Sequence, residues 1–176
     1  MMNRKKLTFI LLLFFSAACG FVKQVVAYDV TVGRDEFKRN TYYEGTTLDN
    51  RTEAKEGAVC VYNLAAFRND SKFNFTGTFV HVVSFYIGGS DWRQYNKALD
   101  LEGNSFEIVQ VNHDQTKNER GENVLSETIG IGLPLKYLKD HAHKEMKFQI
   151  SGDNGRGSEI ISIPADYTRM FLAALR

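Results

Sequence analysis

The chain has 176 residues, 22 of them basic and 21 acidic, with a formal net charge of +1, 43% hydrophobic residues and two cysteines. So even a balance excludes a protein built mainly to hold nucleic acid or anionic lipid, and two cysteines exclude a disulfide-dense scaffold. The length beyond the leader suits one domain with its own core.

Arg4, Lys5 and Lys6 precede an almost unbroken apolar run from Leu7 to Val22. A basic segment followed by a short apolar one is the pattern of an export signal. The run is shorter than the roughly 20 residues of a membrane-spanning helix, and Lys23 and Gln24 end it, which favours a leader over an uncleaved anchor. Two ends compete. Val25-Val26-Ala27 offers small residues for cleavage after Ala27, which makes residues 1–27 a signal peptide and the product periplasmic or secreted. Ser16-Ala17-Ala18-Cys19-Gly20 resembles a bacterial lipobox, which makes residues 1–18 the signal and Cys19 a lipidated N-terminus anchored in the envelope. Either cleavage leaves acids in excess of bases, and leaves Cys60 without an intramolecular disulfide partner. Val59-Cys60-Val61 lies in an apolar, strand-like run, so Cys60 reads as a buried thiol.

Residues 28–58 are polar, with little periodicity, and read as an N-terminal arm or long surface loop. Residues 59–176 read as the β-rich globular domain. Phe75 to Ile87 alternates, with Phe79, His81, Val83, Phe85 and Ile87 on one side and Thr78, Val80, Val82, Ser84 and Tyr86 on the other. The first, more apolar side is expected to face the core. Gly88-Gly89-Ser90-Asp91 reads as a hairpin turn into a strand from Trp92 to Leu99. Further strands are expected at Ser105 to Val111, Val124 to Leu133, Glu145 to Ser151 and Ser158 to Ile163, with a solvated loop over His113 to Asn123. Pro134 to His143 predicts a short inter-strand helix. Pro164 to Leu175 predicts a C-terminal one, with Tyr167, Met170, Phe171, Ala174 and Leu175 on one stripe. The fold class is mainly β: an antiparallel β-sandwich, immunoglobulin-like or related, carrying two helices.

The residues offer little chemistry. His141 and His143 stand two apart on a helix and diverge, so they read as a basic helix end rather than a metal pair. His81 reads as a core histidine, and Glu127 shares the face of Leu125, Ile129 and Ile131 with no basic partner visible. The Gly152-Asp153-Asn154-Gly155-Arg156-Gly157 run lacks the Lys-Ser/Thr end of a phosphate loop and reads as a turn. The best recognition candidate is the hairpin carrying Trp92, Arg93 and Tyr95, with Tyr86 close by, because Trp, Tyr and Arg dominate interface hot spots and aromatic faces stack on sugars.

Gly89-Ser90-Asp91-Trp92-Arg93, Glu127-Thr128-Ile129 and Ile163-Pro164-Ala165-Asp166-Tyr167 with Phe171-Leu172 resemble a group of uncharacterised bacterial exported proteins. That resemblance implies a β-rich exported fold and gives no residue a role. The expectation is an exported, non-catalytic binding or accessory protein with a protein or glycan ligand. It needs no metal, no other cofactor and no nucleic acid, and it meets a membrane only through a lipid on Cys19. The alternatives are an envelope-acting hydrolase using His81, Glu127 or Asp91, and a lipoprotein defined by its tether.

Overall fold

Short alternating runs dominate the chain after residue 27, and such runs gain stability only by pairing. The computed structural model describes residues 27–35, 39–51, 58–70, 74–87, 91–152 and 158–176. The segment expected to be an export leader, with Cys19, the Gly88-Gly89-Ser90 part of the expected hairpin turn and residues 153–157 lie outside them. Within them the elements run β1 (Val30–Asp35), β2 (Asn40–Gly45), β3 (Leu48–Asp49), β4 (Val59–Asn69), β5 (Asn74–Ile87), β6 (Tyr95–Asp100), β7 (Ser105–Phe106), β8 (Ile108–Lys117), β9 (Asn123–Gly132), α1 (Leu135–His141), β10 (Met146–Gly152), β11 (Ser158–Ile163) and α2 (Ala165–Ala174).

The strands form two antiparallel sheets, the mainly-β sandwich expected. The larger has the order β1-β2-β4-β5-β9-β8, with β3 also on β4, and the smaller has β11-β10-β6-β7. Leu64, Val80, Val82, Leu125, Ile129 and Ile131 of the first meet Ala98, Phe148, Ile150, Ile161 and Ile163 of the second, and Tyr167 and Phe171 of α2 complete the core. Tyr62 ties the layers at the β11 edge, its hydroxyl donating to the carbonyl of Ser162 at 3.0 Å and accepting that residue's N–H at 3.1 Å. No helix among the described residues is long and apolar enough to cross a membrane.

Four expectations need correction. The expected hairpin does not form, because β5 and β6 lie in different sheets and do not pair, and the strand expected from Trp92 begins at Tyr95. The stretch 28–58 is not simply an arm or loop, because β1, β2 and β3 lie in it. Thr41, Tyr43 and Gly45 alternate inward there, and the partner that orders them is β4, remote in sequence. The polar stretch His113 to Asn123 continues β8 and starts β9, leaving a tight turn in which Asn118 Oδ1 accepts the N–H groups of Arg120 and Glu122, at 3.0 and 2.9 Å. On β5 the core face is Thr78, Val80, Val82, Ser84 and Tyr86, while Phe85 and Ile87 are exposed. Each polar group on that inner face has a partner: Thr78 Oγ1 donates to the carbonyl of Leu133, Ser84 Oγ meets the Tyr95 hydroxyl at 3.0 Å, and the Tyr86 hydroxyl donates to Glu127. Satisfied polar groups can be buried, and here they are.

β2 and β3 share one edge of β4, so the switch between them leaves the backbone N–H of Leu64 without a strand partner. The Tyr167 hydroxyl of α2 accepts it at 2.9 Å. A Cβ on Gly45 would overlap that tyrosine ring, so glycine is what lets the helix approach.

Candidate functional site

β9 turns Glu127 inward with Leu125, Ile129 and Ile131, and the carboxylate is fully buried. Cut off from water, it must find donors. Its Oε1 accepts the Tyr86 hydroxyl and the backbone N–H groups of Arg93 (2.7 Å) and Gln94 (3.2 Å). With Gln94 at φ 52°, in the left-handed region, consecutive N–H groups converge on one anionic oxygen. Oε2 lies 3.4 Å from Nε2 of His113, the residue opposite Glu127 across β8 and β9.

A second inward carboxylate, Glu159 of β11, pairs with Nη1 of Arg93 and accepts the N–H of Ala58 at 3.0 Å. The same Nη1 donates to the Tyr95 hydroxyl at 3.1 Å, and the Arg93 guanidinium lies over the Tyr86 ring, 4.4 Å from its centroid. Arg93 therefore bridges the two sheets through four residues. Burial raises the pKa of both tyrosines, and acceptance by Glu127 adds to the rise at Tyr86, so both stay protonated donors at neutral pH. Burial likewise pushes the Cys60 thiol up to about 12, as fits a structural cysteine.

Three of the four recognition candidates, Tyr86, Arg93 and Tyr95, thus meet inside the molecule, where β5 of one sheet faces β6 of the other, and Tyr95 exposes no surface. Trp92 stays half-buried at the surface, with its ring 4.9 Å from that of His113, edge to face. The other expected residues scatter. His81 faces outward on β5, opposite Asn63 and Gly130, so it shares no face with Glu127. His141 donates from Nδ1 to the carbonyl of Tyr137 at 2.9 Å and stacks on that ring, while His143 lies exposed beyond the helix end. Among the described residues no group of three or more His, Cys, Asp or Glu is placed to hold a metal.

Two members of the cluster escaped the sequence reading. Glu159 is in phase with Ile161 and Ile163, which marks it as inward. His113 follows a bulge between Gln110 and Asn112, which shifts the period-two count and hides its face.

The second feature is the outer face of the larger sheet. Register places Val59, Val61, Ala65 and Phe67 of β4 beside Phe79, Val83 and Phe85 of β5, with Tyr42 beyond Phe67, Val124 beside Ile87 and Val109 on the outermost strand. Tyr42, Phe67, Phe85, Ile87, Val109 and Val111 are all exposed, Ile87 to 65%. Phe67 and Phe79 stack at 5.6 Å. The strip reaches the end of the sheet at which the Trp92 segment is clamped. Compared with known proteins, the chain matches no family model, no curated protein and no solved structure.

Proposed function

We propose that this protein is an exported, non-catalytic binding module that docks a protein partner on the outer face of its seven-stranded sheet. The observation that carries the reading is the row of large apolar side chains left exposed there, above all Phe67, Phe85 and Ile87. Clustered exposed apolar surface costs solubility, and it marks interaction sites in soluble domains. The buried Arg93 cluster supports the same reading from behind, since it holds one end of the sheet rigid and so lowers the cost of ordering a docking surface. Export rests on the basic and apolar leader alone.

The test is affinity capture from the native envelope or medium by the mature domain and by a Phe85→Asp, Ile87→Asp variant of equal stability. The wild type is expected to retain a protein that the variant loses. Identical captures from both remove the outer face from the proposal. The hydrolase alternative has one observation in its favour, the Glu127 and His113 pair at 3.4 Å. It requires hydrolysis of an envelope polymer that His113→Ala abolishes.

A further inference from the structure

The other side of the same sheet carries a second feature, near its β1 edge. The register sets Arg34, Thr41 and Arg68 side by side across β1, β2 and β4, so two like charges stand about 10 Å apart with a threonine between them. Unscreened, such a row is unfavourable. Asp70, just past β4, answers it: Oδ1 accepts the Thr41 hydroxyl at 2.7 Å, and Oδ2 accepts Nε of Arg34 at 3.1 Å. The backbone N–H of Asp70 is fixed in turn on the carbonyl of Arg39, at 2.9 Å.

One carboxylate does not satisfy two guanidiniums. Nε of Arg68 stands 3.6 Å from Asp70 Oδ1, close enough for an ion pair but too far for a hydrogen bond, and it is buried with no acceptor. Both arginines turn Nε toward Asp70, and among the described residues their terminal amino groups meet no acceptor. Both arginines line a cleft of about 430 Å³, walled by Val32 and Tyr43. Among the described residues that line the cleft, two cations face one anion, an excess of positive charge. A planar guanidinium with free terminal donors matches the two oxygens of a carboxylate or phosphate.

We propose that this cleft binds an oxyanion group of a ligand, a carboxylate or a phosphate, between Arg34 and Arg68, with Asp70 as the internal counter-charge that aims both side chains. The site lies on the opposite face of the sheet from the apolar docking surface and stands independently of it.

The test is a titration of the full chain, followed by the NMR signals of the arginine Nε–H groups. Inorganic phosphate is added in one arm and acetate in the other, at constant ionic strength set with chloride. Saturable shifts at Arg34 and Arg68 are expected in at least one arm, and the stronger arm names the ligand's group. Arg68→Gln and the exposed Arg34→Gln are each expected to weaken binding about tenfold, the loss of one charge-assisted contact. Asp70→Asn, which keeps the oxygen but removes the competing charge, is expected to tighten it. The proposal is overturned by shifts that never saturate, or by phosphate and acetate responses that are unchanged in Arg34→Gln and in Asp70→Asn.

Discussion

The Arg93 side chain reaches residues of both sheets, and its neighbours fix what its loss would do. Replacing it by Met keeps the length but leaves Glu159 buried with, among the described residues, only the N–H of Ala58 as donor. Stranding one member of a buried ion pair costs about 3–5 kcal/mol, which urea unfolding will register as a lower midpoint at unchanged slope. A gentler effect belongs to Asp100. Burial pushes its carboxyl pKa up, but donors from Asn104, Tyr137 and Glu102 outweigh that and hold it below the ordinary carboxylate value. A depressed pKa adds stability that is present above the unfolded value, near 3.9, and is lost as pH falls through the folded one. Asp100→Asn is therefore expected to unfold at lower denaturant near neutral pH and to lose less stability on acidification below about pH 4.

Between elements, the telling contact is the one that fills a gap. Tyr167→Phe removes only a hydroxyl, yet it leaves the N–H of Leu64 buried between β2 and β3 with nothing to accept it. An unsatisfied buried donor costs about 1–3 kcal/mol. Chemical denaturation of that variant should show a loss of this size, and Gly45→Ala should do at least as much harm by pushing the ring away. The same scale shows what sequence can and cannot say. β10, β11 and α2 were legible because their apolar residues repeat at the strand or helix period and face one core. β1 to β3 were not, because their order comes from β4 rather than from their own composition. The face of β5 was misread because Thr78, Ser84 and Tyr86 find partners across the core, and periodicity carries no record of a partner. The candidate site shared both fates. Tyr86, Arg93 and Tyr95 were singled out and do come together, whereas the acids and the histidine that hold them arrive from β8, β9 and β11.

At the scale of the molecule, the two faces of the larger sheet divide the work. The inner face packs the core, and the outer face leaves aromatic and aliphatic side chains in water. An apolar dye is expected to fluoresce on the native protein, and the Phe85→Asp, Ile87→Asp variant is expected to lose most of that signal while keeping its urea midpoint. An unchanged signal would place the dye elsewhere and empty the outer face of its significance. The longest strand at a sheet margin, β8, is exposed along nearly all its length, so the outer face ends in an open margin rather than under a cover.

The hydroxyl that completes β4 comes from a residue 103 positions later in the chain. Strands near the amino end thus wait on a helix at the carboxyl end, and the final contact of the fold is among its most distant. Closure over such a separation is slow, and during synthesis the larger sheet stays incomplete until the final helix has emerged. A chain that stopped before Tyr167 would lack far more than a tail: it would carry an open seam through the middle of its principal sheet.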